Sequence, residues 1–106
     1  MGPVAKYEAL ASWRLSKHLE KKLGDVSDLA VSEDHTLYLL SDQSQSVARM
    51  DDLPAPGESR ATAAEVHRIR GNAKKSEGLA VLENGQFLVA LDRRKPRGNL
   101  LLLGRD

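Results

Sequence analysis

The chain has 106 residues, 41% of them hydrophobic but only 4% aromatic, and a formal net charge of +1. A chain this short is one small domain or a piece of a larger one, and aliphatic side chains have to pack its core. Near-neutral charge argues against a dedicated nucleic-acid surface, and the absence of cysteine removes disulfides, thiolate metal sites and cysteine nucleophiles.

Met1-Gly2-Pro3-Val4 lacks the charged-then-apolar pattern of a signal peptide. No later apolar run approaches the roughly 18 residues of a membrane span, so no membrane partner is expected. Tyr7, Ala9, Ala11, Trp13 and Leu15 alternate with polar or smaller residues, the period of a strand with one buried face. Over Ser16–Leu23 a short helical insertion is expected: Ser16 can cap, Leu15, Leu19 and Leu23 share a face, and Gly24 ends it. Two apolar runs follow, Leu29-Ala30-Val31 and Leu37–Leu40, separated by Asp34-His35. A third run is Val47–Met50, and Pro54, Pro56 and Gly57 make 54–60 a linker loop. Beyond it Ala64–Ile69 predicts a strand. Leu79-Ala80-Val81 and Phe87–Leu91 flank Asn84-Gly85, and Leu100–Leu103 closes the series. Asn-Gly readily supplies positive φ at both turn positions, so each pair of runs predicts a tight antiparallel hairpin.

The second half repeats the first. Leu29-Ala30-Val31 aligns with Leu79-Ala80-Val81, an offset of 50 residues that continues without a gap through Leu37 and Phe87 to Asp42 and Asp92. Val47–Met50 answers Leu100–Leu103, and Trp13-Arg14-Leu15 answers His67-Arg68-Ile69. A four-strand unit of about 40–50 residues is the signature of a β-propeller blade. The expectation is an all-β fold of two four-stranded blades, 7–53 and 61–103; a β-sandwich of eight unrelated strands is the rival. The chain opens on an outermost-type strand, 7–15, and ends on a third strand, so the last blade lacks its outer strand.

Val26-Ser27-Asp28-Leu29-Ala30-Val31, Leu37-Tyr38-Leu39-Leu40-Ser41-Asp42-Gln43-Ser44 and Ser76-Glu77-Gly78-Leu79-Ala80-Val81 resemble the SdiA-regulated and esterase-like-phytase group of six-bladed propellers. The run from Ala90 to Leu100 is similar to the closing blades of that group. The likeness covers most of 7–103, which is two blades of six. Glu-Gly-Leu-Ala occurs also in sugar-lactone hydrolases of the gluconolactonase type. The resemblance implies calcium or another divalent ion in the central channel, with Glu77-Gly78 matching the dipeptide that supplies a metal ligand in the lactonase-like relatives.

Glu77 and Asp28 stand at the start of the innermost strands, where carboxylates can coordinate a hard cation. The other reading of each is a solvated carboxylate at a strand end, or one bonding backbone amides. Asp42 and Asp92 recur at one blade position, which points to a structural job of satisfying loop amides. Arg93, Arg94, Lys95 and Arg97 make the one dense basic run, read either as a solvated loop or as a contact for an anion or an acidic partner. His18, His35 and His67 have no zinc spacing, and neither a Gly-x-Ser-x-Gly elbow nor a phosphate loop occurs. No catalytic residue is therefore named.

The function expected is a non-catalytic propeller module that binds a ligand or partner; the alternative is a phytase- or lactonase-like hydrolase with a channel cation. Two blades alone would leave two apolar faces bare. Either the blades of a larger chain or self-association as a homotrimer with six blades would cover them.

Overall fold

A computed structural model describes residues 6–52, 60–93 and 99–104. The fold is all-β with one short helix. Its elements are β1 (Arg14–Leu15), α1 (Lys17–Leu23), β2 (Asp28–Val31), β3 (Leu37–Ser41), β4 (Ser46–Met50), β5 (Arg60–Ala61), β6 (Ala63–Arg68), β7 (Ser76–Val81), β8 (Phe87–Leu91) and β9 (Leu100–Leu103). Sheet 1 is four-stranded in the order β2-β3-β4-β6, and sheet 2 is three-stranded in the order β7-β8-β9. Every pairing within these two sheets is antiparallel. Among the described residues no helix is long and apolar enough to cross a membrane.

The strand residues alternate between two faces, and the ladders show which residues share one. Leu39 pairs with Leu29 and Ala48, while Leu40 pairs with Asp28 and Val47. Leu40 and Val47 join Leu79, Val89 and Leu91 of sheet 2 in one buried cluster, with Ala30, Tyr38, Phe87, Leu101 and Leu103 packed around it. Tyr38 meets Phe87 edge to face, ring centroids 4.9 Å apart, a geometry the ring quadrupoles favour. Leu39, Ala48 and Met50 point the other way and form a second cluster with Leu19 and Leu23 of α1 and with Ala61.

That second cluster revises the expectation of two bare faces. The back of sheet 1 is covered in part by α1, Trp13 and Leu15. The helix itself forms as its sequence predicts. Ser16 Oγ accepts the Leu19 N–H at 3.2 Å, and Gly24, at φ +79°, carries the chain out of the helix. Leu19 and Leu23 are each 1% exposed.

Two other expectations change. Of the strand predicted over 7–15, only Arg14–Leu15 forms a ladder, and it runs parallel to Arg60–Ala61. Among the described residues, 6–13 join no ladder, and β6 already holds the outer edge of sheet 1. The hairpin turns also differ from the two-residue form. At the tips of the β2–β3 and β7–β8 hairpins one residue each is at positive φ, His35 at 65° and Gly85 at 83°. His35 N–H donates to Ser32 O, and Gly85 N–H to Leu82 O. Each tip is thus a four-residue turn, 32–35 and 82–85, whose last residue is left-handed, the next commonest hairpin geometry.

Candidate functional site

The carboxylates picked out by the repeat lie along the joint between the sheets. β2 and β7 are the facing first strands, and Asp28, half-buried at the head of β2, accepts the Leu79 N–H at 2.7 Å. That N–H faces across to sheet 1, and an ionised acceptor makes the bond short and strong. Asp42, in the turn after β3, accepts the N–H groups of Lys75 and Ser76 on one oxygen, at 2.7 and 3.1 Å. These amides lie where the link after β6 enters β7, and Lys75 there is left-handed at φ 68°. Asp92 N–H donates to Lys75 O at 2.8 Å, so the same peptide is held from both sheets.

A third carboxylate braces the turn that carries Asp42, and the repeat does not reveal it. Asp25 Oδ1 accepts the Gln43 N–H at 3.1 Å and lies within hydrogen-bond distance of the buried Ser41 hydroxyl. Ser27 Oγ, 3.3 Å from Asp25, accepts the Asp42 N–H at 3.0 Å. The available signal is local: three polar residues, Asp25, Ser27 and Asp28, crowd the four positions before an apolar run. Its counterpart fifty residues on is Lys75, which hides it from any comparison of the halves.

Glu77 is elsewhere. It is exposed, at the bulge where the β7–β8 register slips between Ser76 and Gly78. In the repeat register Gly78, not Glu77, answers Asp28. Asp28 is turned into the joint while Glu77 stands in solvent. Among the described residues no three His, Cys, Asp or Glu side chains gather as a metal cage would require.

Of the basic run, Arg93 donates to Asn72 O at 2.8 Å and so ties its loop to the link. Arg94, Lys95 and Arg97 lie outside the described residues. His35 occupies a turn tip and His18 the exposed side of α1. His67 bonds Glu65 Oε2 at 2.7 Å, and Arg49 donates to Glu65 Oε1 at 2.8 Å. Those two bonds, His67 first and then Arg49, hold the Glu65 carboxyl down to about 2. The trio is exposed, on β4 and the edge strand β6, on the sheet 1 face that turns toward sheet 2.

At one end of the joint the two hairpin tips bound an open cleft of about 290 Å³. Tyr38 and Val81 line it and Glu33, Asp34 and Glu83 edge it. Asp34 is held ionised below the usual carboxylate range by the Ser32 and Thr36 bonds that build its turn. The arrangement offers an apolar wall with a negative rim.

The family model described as SdiA-regulated matches residues 5–91 of the chain. No curated protein and no solved structure shows a significant match.

Proposed function

The chain belongs to the SdiA-regulated family, and from that premise we propose that it is a pair of β-propeller blades serving as a non-catalytic binding module. In this reading sheet 1 and sheet 2 are successive blades, and three copies supply the six blades of a closed ring. One observation carries the non-catalytic part. Asp28 and Asp42, the carboxylates nearest the joint, are engaged by backbone N–H groups of the next sheet. A carboxylate held this way is fixed as an acceptor and is a poor proton shuttle. The cleft between the hairpin tips supplies the concavity, and its acidic rim favours a basic partner.

The test has two arms. The protein is assayed against a panel of lactones and phosphoesters with and without calcium, and no turnover is expected; calcium-dependent turnover lost in Glu77→Ala would establish a channel-metal hydrolase instead. Binding of a short oligolysine peptide is followed by calorimetry, with loss expected in Glu83→Lys. Binding unchanged by that reversal would remove the cleft as the docking place.

A further inference from the structure

Sheet 2 repeats sheet 1 position for position, and the equivalence identifies what fits its bare surface. Tyr38, Leu40 and Val47 form the face of sheet 1 that packs beneath sheet 2. Their counterparts by register are Leu88, Ala90 and Leu100, on the face of sheet 2 turned away from sheet 1. Leu100 is 65% exposed there. The reverse relation holds at the other end of the molecule. Leu79 packs on sheet 1 and is 9% exposed, whereas its counterpart Leu29, on the back of sheet 1, is 55% exposed. The molecule therefore presents two unlike apolar surfaces, related to each other as the two halves of its own internal joint.

Helix α1 leaves room for such a joint. Leu19 and Leu23 bury beside Leu39 and Ala48 on the back of sheet 1, as Ile69 and Ala73 of the link bury beside Leu79 and Val89 between the sheets. The helix occupies the place of a link, not of a sheet.

The free edge fits the same scheme. In sheet 1, β4 pairs with β6, Ala48 opposite Val66 and Arg49 opposite Glu65. The counterpart of β4 is β9, whose outer edge is unpaired among the described residues. The counterpart of β6 is the stretch 9–14, aligned through Trp13-Arg14 and His67-Arg68. Carried across, the register puts Ser12 opposite Leu101 and Ala11 opposite Leu102. The chain's own 9–14 is tied elsewhere, since Arg14 pairs with Arg60 and Trp13 packs on the back of sheet 1.

We propose that a second copy of this chain docks head to tail, laying the back of its sheet 1 on the open face of sheet 2 and adding its residues 6–13 to β9 as a fourth strand. The proposal rests on the blade reading above and adds the seam itself. At that seam Asp92 takes the part Asp42 plays inside the chain. The N–H groups that answer Lys75 and Ser76 are those of Asp25 and Val26, and no acceptor meets them among the described residues. A heterologous contact of this kind ends only when its rotation closes a ring.

Disulfide trapping tests the register, and sedimentation tests the assembly. The chain has no native cysteine. Ala11→Cys and Leu102→Cys proteins are made separately, mixed and oxidised; both positions are outside the buried core, so the fold tolerates the changes. The mixture is expected to give a covalent pair of one of each, and neither protein alone is expected to cross-link. Asp92→Ala is expected to weaken association about tenfold, the loss of a charge-assisted backbone contact. A monomer by sedimentation would overturn the docking and the six-blade reading together. An oligomer without the mixed cross-link would overturn this seam and leave the blade reading standing. Unchanged association in Asp92→Ala would overturn the role given to Asp92.

Discussion

Sheets 1 and 2 follow one apolar pattern, identical only at Leu29-Ala30-Val31 and Leu79-Ala80-Val81 among their strands, and differ in what surrounds them. Sheet 1 has four strands, one face under sheet 2 and the other partly under α1. Among the described residues sheet 2 has three strands and one covered face. Leu29 and Leu79 occupy the same position of the repeat and differ sixfold in exposure, 55% against 9%. The pattern of a strand therefore decides its partners and its register, while burial is decided by whatever the chain sets on the sheet next. An apolar residue in an interior-type position reports a face that wants covering, whether or not this copy covers it.

The sharpest way to break the comparison is to truncate one leucine on a covered face and one on an uncovered face. Leu40→Ala, at a residue with no exposure, should cost about 3 kcal/mol in urea denaturation, the transfer and cavity loss of a buried leucine. Leu100→Ala on the open face should stay within about 0.5 kcal/mol when measured on dilute protein. Equal losses would mean that the two faces are not distinguished as described.

A smaller effect is expected at the joint. Asp42→Ala leaves the Lys75 and Ser76 N–H groups without their acceptor. With Ser76 fully buried, the loss should be about 2 kcal/mol in the same assay. Hydrogen exchange should quicken first at those two amides. A change in stability without that local quickening would place the role of Asp42 elsewhere.

The smallest effect is electrostatic and belongs to sheet 1 alone, since the counterpart of Arg49 is Leu102. Glu65 has its folded pKa lowered from 4.5 to about 2. A depressed carboxyl pKa adds stability that is fully present above 4.5 and is lost as the pH falls toward about 2. The trio is exposed, so the slope should be shallow and screened by salt. Denaturation midpoints across that window should fall less in Glu65→Gln than in the parent. Parallel curves would show that the ion pairs contribute nothing in solution.

Much of the architecture is legible because it is periodic. The strands, both hairpins, the Ser16 cap and the Gly24 stop are each set by residues within a few positions of one another. What the sequence hides is set across space. Residues 7–15 alternate like a strand, yet alternation cannot supply a partner, and β6 already fills the edge of sheet 1. Asn84-Gly85 suggests positive φ at both positions, but only Gly85 adopts it, because the turn begins one residue earlier, at Leu82. At the joint, Asp28 and Asp42 are visible as residues, whereas their acceptor role depends on N–H groups 51 and 33–34 positions away. Asp25 leaves no trace in the repeat at all.

The two-residue ladder between β1 and β5 has a kinetic meaning. The β2-β3-β4 and β7-β8-β9 meanders join strands that are neighbours along the chain, so each can form early at little entropic cost. Adding β6 requires closing the loop between β4 and β6. Zipping β1 onto β5 requires closing everything from α1 through 59, a longer span held by two residue pairs and the Ser16–Ala61 backbone bond. Loop entropy rises with span, and so few pairs repay little of it. The parallel ladder should be the last contact made in folding and the first to open. When it opens, it frees the N-terminal stretch together with its Trp13 anchor, leaving the two meanders intact.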